Sequence, residues 1–315
     1  MTKFKVLIIT VLLVCLAYTA AWFYGVNRLG NELDQLATAG AQPQISCVNR
    51  SITGFPFRYD LYCANATVDD GDQHISVKNV KATVRVYSPT HIIAFADGPL
   101  FWKDDFNGSE RELEFSSLQI SGRLNWNLEI ERISAIAEDL KLSDTVITPI
   151  QLANAKTIEA HLIATQNADT GLQAFFRISD ANHIDLATQS ANLAIELEAT
   201  NLNRGINSWQ YPDILRQWQM ANGELVVHAL DFSAKDMRFT ANGTLNLDAQ
   251  GQLNGKVTTQ SKGLVELFDP EAYGLLAPTI FGVANADGEY KSLWQASAGT
   301  VSIGVAPLFF VPALF

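Results

Sequence analysis

The sequence predicts a mainly β protein: an antiparallel meander building a curved sheet with a few short helices, carried behind one transmembrane helix. Three observations predict it. Residues 6–26 form an apolar run with no charge. From residue 110 onward, apolar and polar residues alternate at period two, the signature of strands with one dry and one wet face. Turn signals recur between the alternating stretches, as Asn107-Gly108, Ser121-Gly122, Asn222-Gly223, Asn242-Gly243 and Asp287-Gly288.

The apolar run, VLIITVLLVCLAYTAAWFYGV, spans roughly 30 Å as a helix, the thickness of a bilayer's hydrocarbon core. Its Val, Leu, Ile and Phe residues favour insertion by roughly 3–6 kcal/mol together, with no charge to offset them. Lys3 and Lys5 precede it, and Trp22, Phe23 and Tyr24 close it. Cations inside and aromatic rings at the far interface place the N-terminus in the cytoplasm and the bulk of the chain outside. A cleavable signal peptide, cut after Ala21, is the rival reading, but the run is long for one. Cys15 lies mid-run behind Val14, so it reads as a buried hydrophobe and not a lipoprotein cysteine. The expected organisation is a cytoplasmic tip and anchor over 1–27 and a juxtamembrane amphipathic helix or linker over 28–43. A β-rich periplasmic domain follows over 44–315, with a break near 205–222.

Composition narrows the class. The chain is 48% hydrophobic and 17% charged, enough to build a core. Its net charge is −11 and it has no Lys/Arg cluster, which excludes nucleic acid as a partner. Beyond the anchor lie two cysteines, Cys47 and Cys63. An even pair in an oxidising compartment predicts one disulfide. Their spacing fits no compact zinc pattern.

In 26–41, Val26, Leu29, Leu33 and Leu36 recur at helical spacing, continuing the anchor as a short amphipathic helix. The next segment changes period. Phe55, Phe57, Tyr59, Leu61 and Cys63 alternate with Pro56, Arg58, Asp60 and Tyr62. With Gly54-Phe55-Pro56 as a hairpin tip, Cys47 would face Cys63 across the ladder. Arg58 and Asp60 share a strand face and read as an ion pair. Further on, Leu124, Trp126, Leu128 and Ile130 alternate with Arg123, Asn125, Asn127, Glu129 and Glu131, predicting a strand. Leu193, Ile195 and Leu197 predict another against Glu196 and Glu198. Pro212 and Gly223 bracket a helix with Ile214, Leu215 and Trp218 on its buried stripe, and 263–277 reads as two short helices. Residues 222–262 return to strands, joined by turns such as Ala249-Gln250-Gly251.

GFPFRYDL at 54–61, the anchor before it, VRVYSPTHIIA at 84–94 and the tail VSIGVAPLFFVPALF together resemble an uncharacterised bacterial envelope family, a domain of unknown function. The motif residues that carry the resemblance are Gly54, Phe55, Pro56, Phe57 and Arg58. It implies a membrane-anchored envelope protein and brings no catalytic residues. The 222–262 meander is similar, more weakly, to AsmA-like envelope proteins, which are anchored curved sheets with an apolar groove.

Little chemistry is written in the chain. The histidines at 74, 91, 161, 183 and 228 form no HisXXXHis or HisGluXXHis, and there is no nucleophile elbow, P-loop or dinucleotide fingerprint. No cofactor, metal site or catalytic residue is expected, and the protein reads as a non-enzyme. The leading expectation is an inner-membrane, single-pass protein whose periplasmic sheet binds or transfers lipid-like apolar ligands in envelope maintenance. The alternative is a structural or assembly factor that holds envelope proteins through a sheet edge. A closed barrel is permitted by the strand run but opposed by the retained helix. An open groove, a sandwich and two units all fit the alternation.

Overall fold

A computed structural model describes residues 2–38, 43–165, 170–184, 186–264, 282–304 and 306–315. The apolar run becomes α1 (Thr2–Leu36), which continues without interruption through the amphipathic stretch. Val6, Leu7, Val11, Leu13 and Leu16 are each more than half exposed, a surface that water does not tolerate over such a length. Among the described residues this is the one helix long and apolar enough to cross a membrane.

The rest is strand. The first group is β1 (Gln44–Thr53), β2 (Arg58–Asp70), β3 (Gln73–Arg85), β4 (Ser88–Asp104), β5 (Ser109–Glu114) and β6 (Ser117–Leu124). Next come β7 (Ile130–Asp144), β8 (Ile150–Ala164), β9 (Gly171–His183) and β10 (Leu186–Thr200). After the helix α2 (Asp213–Met220) follow β11 (Glu224–Ala234), β12 (Met237–Leu247), β13 (Leu253–Lys262), β14 (Glu289–Ser297), β15 (Thr300–Ile303) and β16 (Ala306–Phe310). They form one antiparallel meander in sequence order, except that β6 leaves the path to pair with β4 and β7. The order begins at β1 and ends at β16, and among the described residues these two do not pair.

The chain divides into two compact units, Met1–Gln119 with Leu142–Ile150, and Ile120–Lys141 with Gln151–Phe315. The first holds α1 and β1–β5. The second holds most of β7 and everything from Gln151 on, including α2. There the Trp218 indole donates to the Thr200 carbonyl at 2.8 Å, and the Tyr211 hydroxyl donates to the Leu314 carbonyl at 2.7 Å, tying the C-terminal tail to the helix.

Several expectations hold. α2 forms with Trp218 buried and Ile214 and Leu215 half-buried; Leu193, Ile195 and Leu197 lie in β10; Ala249-Gln250-Gly251 is a turn. The helices expected over 263–277 fall outside the described residues, apart from Gly263 and Leu264.

Others are corrected. The strand expected through Leu124, Trp126, Leu128 and Ile130 is interrupted by a turn. The Asn125 side-chain oxygen accepts from the backbone N–H groups of Asn127 and Glu129, and Leu128 takes a φ of 60°. A side chain that satisfies its own backbone outcompetes the ladder, and Trp126 is left 80% exposed. Ser121-Gly122 and Asn242-Gly243 are not turns but lie inside β6 and β12. Gly243 is needed for another reason: a Cβ there would lie 2.1 Å from the Lys256 carbonyl oxygen, so glycine permits a close strand approach.

Candidate functional site

Register places side chains on faces. In the first unit Cys63 pairs with Arg50 and Val80, Leu61 with Ile52 and Ala82, and Tyr59 with Val84. These positions form an apolar face, and α1 packs onto its β1–β2 end. Trp22, 6% exposed, stacks on Tyr59 with centroids 5.5 Å apart and meets Phe55 edge-on at 5.3 Å. Its indole donates to the Arg58 carbonyl at 3.2 Å, and the Tyr18 hydroxyl donates to the Pro56 carbonyl at 2.5 Å. Arg50 on β1 pairs with Asp34 further along the helix at 2.9 Å. Gly25 makes room for the Tyr59 ring. Burial, with Tyr18 adding to it, pushes the Tyr59 phenol above its ordinary pKa.

The motif Gly54–Arg58 is therefore the hairpin tip that meets α1. Gly54 holds a φ of 104°, and a Cβ there would meet Arg58 and Asp60, so glycine is required. Arg58 Nε sits 2.6 Å from Asp60, and the Thr83 hydroxyl donates to the other carboxylate oxygen at 2.8 Å. This is the ion pair expected from the spacing.

Cys47 and Cys63 are bonded, with Cα atoms 5.5 Å apart. They are not directly opposite: Cys47 pairs with Ala66, and Cys63 with Arg50. The first ladder pair above the tip is Thr53 with Asp60, which shifts the register by three residues from a tip centred on Phe55. A regular ladder would hold such positions about 10 Å apart along the strand. The ladder is locally irregular here: Cys47 pairs with Ala66 and Asn49 with Ala64, and between them Asn65 takes a left-handed φ of 49°.

At the opposite end of the same unit, His74 joins two carboxylates. Its Nδ1 lies 2.6 Å from Asp69 and its Nε2 3.0 Å from Asp105, which also holds Lys103 at 3.0 Å. The hydrogen bond to Asp69, aided by Asp105, raises the His74 pKa; Lys103 lowers that of Asp105. Beside it is a depression of about 350 Å³ lined by Asp69, His74, Trp102, Lys103 and Arg111, with Arg111 paired to Asp144. Both imidazole nitrogens are engaged by carboxylates, so the cluster clasps strands together and offers no ring lone pair to a substrate. Among the described residues no group of three His, Cys, Asp or Glu side chains is arranged to hold a metal ion.

The second unit carries an apolar face that runs across successive strands. Ile158 pairs with Ile178, Ile178 with Leu193, Leu193 with Phe232, and Phe232 with Phe239. A second row runs through Ala160, Phe176, Ile195, Leu230 and Ala241. A third continues from Leu197 through Val227, Gly243, Val257 and Trp294 to Ile303. The reverse face carries Glu159, Arg177, Glu196, Asp231, Thr240 and Lys256. Most of the apolar rows are only half-buried; Ala241, at 6% exposure, is the exception. Alternation in the sequence showed that such a face exists. Its extent required the register, and the Tyr18, Trp22 and Tyr59 contacts, made between residues 36 to 38 apart, left no local signal.

No curated protein and no solved structure matches the chain. A family model described as an uncharacterised protein conserved in bacteria, DUF2125, matches residues 22–288. With the aromatic end of α1's apolar run, the motif hairpin and β1–β13 inside that match, this chain belongs to the DUF2125 family of uncharacterised bacterial proteins.

Proposed function

We propose that this is a non-catalytic inner-membrane protein, its N-terminus cytoplasmic and its sheet periplasmic, that binds or passes lipid-like apolar ligands on the apolar face of its second unit. The observation that carries the reading is that face: three apolar rows across successive strands from β8 onward, most of them half-buried. Alkyl chains match it because each methylene removed from water contributes about 0.8 kcal/mol. Half-covering a chain of roughly fourteen methylenes would give about 5–6 kcal/mol, a Kd on the order of 0.1 mM. Such binding holds a chain and lets it go. The disulfide supports an oxidising compartment, and the uncharged length of α1 supports retention in the membrane.

The test is mass spectrometry of lipid extracted from the full chain purified in mild detergent. Phospholipid should accompany the parent protein and be depleted in Phe232→Asp, with the Cys47–Cys63 bond intact in both. A parent protein free of lipid, or equal lipid in both, overturns the reading. A second reading, a factor that assembles envelope proteins, is favoured by β16, which ends the strand order with Phe309 and Phe310 54% and 58% exposed. Photo-crosslinking from position 309 in cells would then give one dominant protein adduct.

A further inference from the structure

The geometry points to a second membrane attachment: the hairpin tip Gly54–Phe57 embeds in the outer leaflet of the same bilayer that α1 crosses. The inference rests on α1 being a retained span. Along the helix, Asp34 touches Arg50, Trp22 touches Arg58 and Tyr18 touches Pro56. The β1–β2 hairpin therefore runs down α1 toward its N-terminus. Tyr18 lies four residues before Trp22, so Pro56 sits roughly 6 Å deeper than the aromatic end of the span. Val26, the last residue of the apolar run, lies about 12 Å above that level.

The tip is built for that depth. It holds no charge, and Phe55 and Phe57 are 49% and 65% exposed. Beside it the β3–β4 turn presents Tyr87, 70% exposed. Three of its four carbonyls are hydrogen-bonded within the protein, which lowers the cost of leaving water. Pro56 has no N–H. The Gly54 carbonyl accepts from the Arg58 N–H at 3.1 Å, the Phe57 carbonyl from the Val86 N–H at 3.0 Å, and the Pro56 carbonyl from Tyr18. Arg58, just above, is paired with Asp60. Exposed rings on an uncharged tip, at the level of an aromatic belt, are what a bilayer interface accepts.

The experiment uses the full chain with Cys15→Ala, reconstituted in vesicles of phosphatidylethanolamine and phosphatidylglycerol. An environment-sensitive fluorophore is placed at Phe57→Cys, and separately at Tyr87→Cys and at Ile147→Cys, a site 90% exposed. Probes at 57 and 87 should be quenched by lipids spin-labelled high on the acyl chain and shielded from aqueous iodide. The probe at 147 should show the reverse. Iodide quenching at 57 equal to that at 147 overturns the proposal. Shielding at 57 from both quenchers means burial against protein, such as a second copy, and also overturns it. Alkaline carbonate washing separates the two levels: protein released from the vesicles sinks the span and the tip together, whereas protein retained with a wet position 57 sinks the tip alone.

Discussion

Gly243→Ala tests whether the second unit's sheet is built as its register says. The added methyl would lie 2.1 Å from the Lys256 carbonyl oxygen and 2.7 Å from the Val257 Cα, both backbone atoms that no rotamer change can move. Restoring ordinary contact requires β12 and β13 to part by about 1 Å. Overpacking of this kind costs about 1–3 kcal/mol, and weakening the two adjacent ladder hydrogen bonds adds about 0.5–1.5 kcal/mol each. Alanine's smaller unfolded-state entropy returns about 0.4–1 kcal/mol. The net is about 1–6 kcal/mol and centres on about 3 kcal/mol, which at the roughly 2–4 °C per kcal/mol of a large domain lowers the Tm by about 6–12 °C. Thermal melts of the full chain in detergent read this directly. Thr244→Ala, at an exposed neighbour, should move stability by no more than about 0.5 kcal/mol. If Gly243→Ala melts within about 1 °C of its parent, the strand approach is not as described.

Two further outcomes are expected. Replacing both Cys47 and Cys63 by Ser should lower stability by about 3 kcal/mol, the chain-entropy value for a loop of about 15 residues, read from the urea midpoint at unchanged slope. Because His74 has a raised pKa in the folded chain, its clasp contributes fully below the ordinary 6.5 and fades as pH rises through the raised value; Asp105, lowered by Lys103, contributes above 3.8 and fades as pH falls through its lowered value. His74→Gln should therefore remove the loss of stability above pH 6.5 and shrink the acid limb only in part, since Lys103 still holds Asp105 down, as melts across a pH series would show.

The fold class was legible because periodicity is local. Leu193, Ile195 and Leu197 announce a half-buried strand without reference to anything distant, and an uncharged stretch of helix length needs no partner to be recognised. Tertiary choices were not legible. Asn242-Gly243 has the composition of a turn, yet the glycine serves an approach to Lys256 that only pairing with β13 creates. Leu124 through Ile130 has the pattern of a strand, but Asn125 caps its own backbone and wins locally. Cys47 and Cys63 were identified as partners by parity and compartment; their register depended on where the tip closed. The motif Gly54–Arg58 drew attention as a string, and its role became visible only against Trp22 and Tyr18.

The contacts between α1 and the first unit have a mechanical corollary. A domain hung on a loose string samples a hemisphere of solvent and tumbles freely beneath its attachment. Here Tyr18, Trp22 and Asp34 grip the strands at three heights along the rod, so any rotation of the helix about its axis carries β1 and β2 with it. If that rod stands in a bilayer, the first unit can spin and drift in the plane but cannot reach outward. Whatever it meets must come to it along the membrane surface, and encounters become a two-dimensional search at fixed altitude.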